Sequence, residues 1–266
     1  VEFTREQLQR YNRHLILPEV GKQGQKKIAK ARVCVVGAGG LGCPVGYYLT
    51  AAGIGTIAII DKDFVELSNL QRQIAHNVRT IGKPKVISAK KTFESLNPDV
   101  KVIAIKQKLV KNNILDLIKD YDIVVDCSDN FPTRFLVNDA CVITKKPLIT
   151  GAILKFEGHV TTIIPGDGPC YRCLFEEPPP PGVIPSSQEV GLLGVIPGVI
   201  GVLQATEVLK LILGIGETLK GELLIYDALK SSFRKIKVPK NPDCPVCSNH
   251  PTIRELIDYS EKCCAL

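Results

Sequence analysis

The sequence lacks an uninterrupted apolar run long enough to cross a bilayer. Its longest apolar tract, Val195 to Leu213, is broken by Gln204, Glu207 and Lys210, and reads as a buried helix. The N-terminal stretch is polar and charged, without the apolar segment of a secretory signal, so the expected location is the cytoplasm, with no membrane partner. No basic stretch is interleaved with aromatic residues, which leaves nucleic-acid binding without support. Internal repeats are also missing. The ten cysteines have no secretory context, and a chain of 266 residues needs no disulfides to fold, so thiols and metal ligands are expected instead of a disulfide framework.

The remaining composition is ordinary for a soluble globular protein, with 45% hydrophobic and 23% charged residues. The net charge of +7 is partly local, with Lys22, Lys26, Lys27, Lys30 and Arg32 close together. The plain reading is a solvated helix face. The functional one is attraction to an anion such as ATP or an acidic protein.

Residues 4–30 read as an amphipathic helical arm broken near Pro18 and Gly21. Short apolar strands follow at Arg32–Gly37, Thr56–Asp61, Val100–Leu109, Tyr121–Asp126 and Pro147–Gly151. Helices are expected at Gly42–Ala52, Pro84–Leu96 and Thr133–Thr144. This alternation predicts an α/β fold with a Rossmann-like, doubly wound, mostly parallel sheet. After Gly158 the strands His159–Pro165, Leu223–Tyr226 and Phe233–Val238 come as neighbours, which predicts an antiparallel extension of the same sheet. One domain is expected over 1–266: an arm (1–30), a nucleotide-binding half (31–152), and a part (153–266) with the antiparallel strands, a crossover loop and a metal-stapled C-terminus. Glu176–Pro185 contains four consecutive prolines and reads as a stiff exposed loop.

Gly37, Gly39, Gly40 and Gly42 lie between a strand and a helix, where glycines permit a tight turn and the helix start offers unpaired N–H groups to phosphate. Asp61 ends the next strand where a ribose-binding acid is expected, and Asp63 is a second candidate. The turn and acid alone fit NAD. Beyond them come Ser68, Asn69, Leu70, Gln71, Arg72 and Gln73, then Lys85, then Asp129 and Asn130 after the strand ending at Asp126. Cations, amides and a carboxylate at the ends of successive strands suit a triphosphate with magnesium better than a dinucleotide. Cys170 and Cys173 form one CxxC pair, and Cys244 and Cys247 another. Four thiolates make a closed tetrahedral zinc site of the structural kind. Cys34, Cys43, Cys127 and Cys141 read as small core residues.

RYNRH (Arg10–His14), GAGGLG (Gly37–Gly42), DKDFVELSNLQRQ (Asp61–Gln73), GKPK (Gly82–Lys85), DCSDN (Asp126–Asn130), PCYRC (Pro169–Cys173) and CPVC (Cys244–Cys247) together resemble the ThiF/MoeB/HesA family, relatives of the ubiquitin-activating enzymes. Within it the chain is most similar to the molybdopterin-synthase adenylyltransferase type. The resemblance implies an ATP-dependent adenylyltransferase acting on the C-terminal glycine of a ubiquitin-like sulfur-carrier protein ending in Gly-Gly. It assigns phosphate to Gly40, Asn69, Arg72 and Lys85, ribose to Asp61 and magnesium to Asp129. It also implies a homodimer in which Arg13 reaches the partner's site. Where some members carry a loop cysteine, this chain has Ser187. A hydroxyl without an activating base is a poor nucleophile. The expectation is therefore that the protein stops at the adenylate and leaves sulfur to a separate sulfurtransferase or cysteine desulfurase, since no rhodanese-like domain follows. Cys263 and Cys264 are remote substitutes for a covalent link, and Pro178–Pro181 can order a loop over the carrier tail. Two other readings stand beside this one: an NAD(P)-dependent oxidoreductase and a non-catalytic zinc-containing scaffold.

Overall fold

The computed structural model describes residues 2–179, 187–257 and 259. Three short helices form the arm: α1 (Arg5–Arg10), α2 (Asn12–Leu15) and α3 (Gly21–Lys30). The Thr4 hydroxyl accepts the Gln7 N–H and the Gln7 side chain accepts the Thr4 N–H, a reciprocal cap that starts α1. Strand β1 (Arg32–Val36) leads into α4 (Gly42–Ala52) and β2 (Thr56–Ile60). Then come α5 (Lys85–Leu96), β3 (Lys101–Ile105), α6 (Lys111–Ile118), β4 (Ile123–Asp126), α7 (Phe131–Ile143), β5 (Leu148–Leu154) and β6 (Glu157–Ile163). Two short helices, α8 (Tyr171–Leu174) and α9 (Ser187–Val190), precede α10 (Ile196–Leu213), β7 (Glu222–Asp227) and β8 (Ser232–Lys237).

The eight strands form one sheet in the order β3-β2-β1-β4-β5-β6-β7-β8. β3, β2, β1, β4 and β5 are parallel, and β5 through β8 pair antiparallel. Helices cover both faces, so β1, β2 and β4 are almost entirely buried and read as continuous apolar runs. One core lies beneath α4, α5 and α10, with Phe93, Leu49, Ile57 and Ile200 inside it. The other lies beneath α6 and α7, with Phe135, Ile114 and Ile118. Among the described residues, α10 is long and apolar enough to cross a membrane by length and composition. Half of it is buried, and it packs on α4 and β5 as a core helix.

Several expectations shift, with β6 and α7 each beginning two residues earlier than expected. The strand expected over Val100–Leu109 ends at Ile105, and α6, not anticipated, begins at Lys111. The β5 strand runs on to Leu154 because its antiparallel partner β6 extends the pairing from Leu148↔Ile163 to Leu154↔Glu157. Two 3-10 turns, Leu67–Asn69 and Val78–Thr80, shape the segment between β2 and α5. Of the proline loop, only Pro178 and Pro179 fall within the described residues. Pro180, Pro181, Cys263 and Cys264 lie outside them, as does the side chain of Ser187.

Candidate active site and metal centre

The strand order turns outward in both directions from the β1–β4 pair, since β2 and β3 lie on one side and β5 on the other. Ligands of such sheets bind where the order reverses, beyond the strand C-termini. The glycine turn, Asp61 and the Cys127–Asn130 loop follow β1, β2 and β4, three adjacent strands. At about 4.8 Å per strand they span roughly 10 Å.

The glycines divide by duty. Gly37 has φ +101, and a Cβ there would sit 2.8 Å from the Cys127 carbonyl oxygen. A Cβ on Gly42 would strike the Gly37 carbonyl. These two allow the turn to close against β4. Gly39 is open, with the Gln73 amide nitrogen 3.8 Å from its would-be Cβ, and Gly40 lies beside Pro197 and Arg72. Among the described residues, the N–H groups of Gly39, Gly40 and Leu41 meet no acceptor. They form the unpaired start of α4, a ready cradle for phosphate oxygens.

The acids do different work. Asp61 accepts the Ala38 N–H on Oδ2 and the Asp63 N–H on Oδ1, both at 2.8 Å, so it braces the turn while keeping one lone pair per oxygen. Asp63, the second candidate for ribose, instead faces Lys85, with Nζ 3.6 Å from Oδ2. The Lys85 ammonium stem is buried at the start of α5. Arg72 donates to the Ser68 carbonyl at 3.2 Å. Ser68 donates to the Glu66 carboxylate, and the Asn69 carbonyl oxygen accepts the Glu66 N–H, so these two also shape the 3-10 turn. Gln73 is buried with its carbonyl oxygen unpaired. Leu70 is half-buried and Gln71 exposed.

The Cys127–Asn130 loop is held from behind. The buried Asp126 carboxylate accepts the Ser128 N–H at 3.0 Å, the Ser128 hydroxyl at 2.6 Å and the Thr150 hydroxyl at 3.0 Å. Gln204 donates to the Asp126 carbonyl and Arg134 to the Ser128 carbonyl. Burial pushes the Asp126 carboxyl up, while Arg134 and these hydrogen bonds oppose that shift. Asn130 caps α7 by accepting the Thr133 N–H at 2.9 Å, and Asp129 projects into solvent. Sequence reasoning gave Asp126 no role. Its signal was a carboxylate ending an apolar strand, which buries the charge next to the site.

Arg13 stands apart. In the arm, the Tyr11 hydroxyl accepts from Asn97 at the end of α5, and its ring covers Gly53 at the end of α4. Arg13 on α2 is exposed at that end. The glycine turn is at the other end of α4, whose 11 residues span about 16 Å. Within its own chain, Arg13 does not join the other candidate residues.

The four predicted cysteines do converge. The Sγ atoms of Cys170 and Cys244 are 3.5 Å apart, those of Cys173 and Cys247 are 3.4 Å apart, and all four lie within 4.8 Å of one another. A tetrahedral zinc ion with bonds of about 2.3 Å needs sulfur–sulfur edges of about 3.8 Å, so the donor set fits. Hydrogen bonding from the Cys170 thiol, joined by the Asn241 N–H, holds Cys173 well below the usual thiol range. Arg172, between the first two cysteines, forms a buried bidentate pair with Asp139 of α7, with both N···O distances 2.9 Å. It also donates to the Glu176 carbonyl. Breaking such a pair from one side leaves a buried charge, and that makes it a firm link between the cysteine cluster and the sheet.

A doubly wound sheet with unpaired N–H groups at its reversal point and four clustered thiols that could hold a metal ion defines an α/β protein of the doubly wound class. The chain belongs to the ThiF family, whose family model matches residues 11–246. It is 52% identical to the sulfur carrier protein adenylyltransferase of Thermus thermophilus, over 99% of each chain. It is 50% identical to the SAMP-activating enzyme E1 of Haloferax volcanii, over 97% of this chain and 95% of that one. Identity to the adenylyltransferase and sulfurtransferase MOCS3 of Sus scrofa is 47%, covering 98% of this chain but 58% of that longer one. The crystal structure of E. coli MccB with ATP superposes with a TM-score of 0.78 at 25% identity, covering 90% of this chain and 74% of that one.

Proposed function

We propose that this chain is an ATP-dependent adenylyltransferase that activates the C-terminal glycine carboxylate of a small ubiquitin-like sulfur-carrier protein. The observation that carries this reading is the open N–H cradle of Gly39 to Leu41, flanked by Arg72 and by the loop bearing Asp129. The full-length similarity to an adenylyltransferase of sulfur carriers supports it. A carboxylate oxygen attacks the α-phosphorus of ATP. The bond from that phosphorus to the bridging oxygen breaks, and pyrophosphate leaves with the electron pair. The C-terminal carboxyl has an ordinary pKa of about 3.5, so the nucleophile is already ionised and no general base is needed. The protein's task is to bring anions together and neutralise the charge that develops on the leaving group. Arg72, Lys85 and the cradle N–H groups do this. Lys85 must exchange Asp63 for phosphate when ATP enters. Asp61 keeps the turn in shape and offers its remaining lone pairs to the ribose. Asp129 would hold magnesium, which would supply further neutralisation of the phosphates. The four cysteines would hold zinc as a structural ion, tying the segment after β6 to the C-terminal segment.

In this reading the enzyme works in the cytoplasm as a homodimer, and Arg13 completes the partner's site. Sulfur comes from a separate sulfurtransferase or cysteine desulfurase. The carrier belongs to molybdopterin, thiamine, tRNA-thiolation, cysteine-synthesis or protein-modifying chemistry, and a pull-down of the Gly-Gly partner identifies which.

The test is exchange of labelled pyrophosphate into ATP, dependent on a carrier ending in Gly-Gly, with ATP and NADH titrated separately. We expect exchange and ATP binding. Tight NADH binding without ATP binding selects the oxidoreductase, and ATP binding without exchange on any carrier selects the scaffold. The Ser187→Ala variant should retain exchange within about twofold, as a hydroxyl lacking a base contributes little as a nucleophile. Its loss of exchange would give Ser187 a part in the reaction.

A further inference from the structure

His76 lies in the strap that runs from Arg72 back under the glycine turn, and it is buried. Its Nε2 is 2.9 Å from the Ala38 carbonyl oxygen and its Nδ1 is 2.9 Å from the Ser88 hydroxyl on α5. A carbonyl only accepts, so Nε2 carries the proton. Nδ1 of the neutral ring then accepts from Ser88. Burial pushes the imidazole below its ordinary value, which keeps the ring in this neutral form near neutral pH.

The atom that His76 holds is informative. Ala38 is held on both sides: its N–H goes to Asp61, and its C=O takes His76 at 2.9 Å and, more weakly, the Cys43 thiol at 3.6 Å. The Ala38–Gly39 peptide is trans, so its C=O and N–H point in opposite directions. With the carbonyl drawn down to His76, the Gly39 N–H faces away from the strap. Among the described residues it meets no acceptor. The Gly39 carbonyl is itself taken by the Cys43 N–H at 3.0 Å, which fixes the next peptide too. If the Ala38–Gly39 peptide flipped, the cradle would present a carbonyl oxygen to a phosphate oxygen, replacing attraction with repulsion. Gly39 has no Cβ to oppose such a flip, and the Cys43 thiol at 3.6 Å is a weak donor, so His76 is the stronger hold on this carbonyl.

We propose that His76 is a positioning residue that locks the Ala38–Gly39 peptide so that the Gly39 N–H is offered to the nucleotide phosphates. Ser88 sets the tautomer, and Thr92, donating to the Ala75 carbonyl at 2.7 Å, fixes the strap beside it. His76 touches neither substrate nor reacting atom. Its effect passes through one peptide plane.

This inference rests on the nucleotide site proposed above, and the experiment separates the two. Binding of Mg·ATP and of adenosine is measured by calorimetry on wild type, His76→Phe and His76→Gln, with thermal unfolding of each. Phenylalanine keeps the ring volume but lacks the donor. Glutamine can place an amide N–H where Nε2 stands. We expect His76→Phe to weaken ATP about tenfold or more, the size of one hydrogen bond to a charged group, while adenosine binding changes less than about twofold. His76→Gln should bind ATP within about threefold of wild type. Equal losses for ATP and adenosine in folded His76→Phe would overturn the proposal, as would unchanged ATP binding. Should His76→Phe fail to fold, His76→Gln decides: folded protein with ATP affinity lost and adenosine affinity kept refutes the donor's role, and retained ATP affinity supports it. Wild-type protein that binds no ATP would instead defeat the nucleotide site itself.

Discussion

Asp129→Ala and Arg72→Ala should each lower carrier-dependent pyrophosphate exchange by about 100- to 1000-fold, the usual cost of deleting a group that stabilises developing charge. The fold should be indifferent to both changes. Asp129 is exposed, and its recorded partner is a 3.4 Å contact from the neighbouring Asn130 amide. Arg72 is partly exposed and donates once, to the Ser68 carbonyl, which water can replace. Each substitution should therefore cost no more than about 0.5 kcal/mol, a shift of roughly 2 °C or less in Tm. Exchange assays beside thermal unfolding decide the matter. Activity within threefold of wild type for Asp129→Ala would place magnesium elsewhere.

Cys244→Ala should show the opposite signature. Cys244 is fully buried, and its sulfur closes a four-thiol cluster. Three thiolates with an alanine in the fourth position no longer complete a closed tetrahedral site, and metal binding is coupled to folding. We expect bound zinc to fall from one per chain to near zero. Stability should drop by several kcal/mol, on the order of 10 °C in Tm. Exchange per folded molecule should be largely preserved, because Cys170 and Cys244 pack in the core beneath α6 and α7 whereas Ala38 and Leu41 of the glycine turn pack in the other core, and a strong chelator should move wild type in the same direction. A variant that keeps both its zinc and its Tm would show that these sulfurs are not ligands.

The alternation of strands and helices was legible because both faces of β1, β2 and β4 are buried, giving unbroken apolar runs between glycine and proline signals. The helix expected from about Gly42 to Ala52 is α4, which Gly53 ends in the left-handed conformation. The four cysteines were legible because two CxxC pairs restrict the chemistry before any folding is known. Helix α6 was not: it is short, its apolar residues Ile114, Leu115, Leu117 and Ile118 bunch at its C-terminal end with Ile114 and Ile118 buried, and Asn113 caps it by accepting the Val110 N–H, a cue easily taken for a loop. The site was legible as a set of residue types but not as a division of labour. Asn130 and Asn69 spend their carbonyl oxygens on backbone caps, and Asp63 pairs with Lys85. A lone histidine six residues before a glycine-proline turn carries no pattern. Only the carbonyl it meets gives His76 meaning. Arg13 shows the same limit from the other side, since a motif beside an N-terminal helix does not reveal that the helix docks at the far end of α4.

A turn in which Gly37 and Gly42 tolerate no side chain is a part that cannot be adjusted from inside. Nearly every change at those two positions destroys the loop before it can alter how tightly a nucleotide is held. Inherited variation in affinity must therefore enter from the neighbouring segment, through residues such as Gln73 and His76 that press on the loop without belonging to it. The glycines fix the shape of the loop, and the strap is where a substitution can retune its grip.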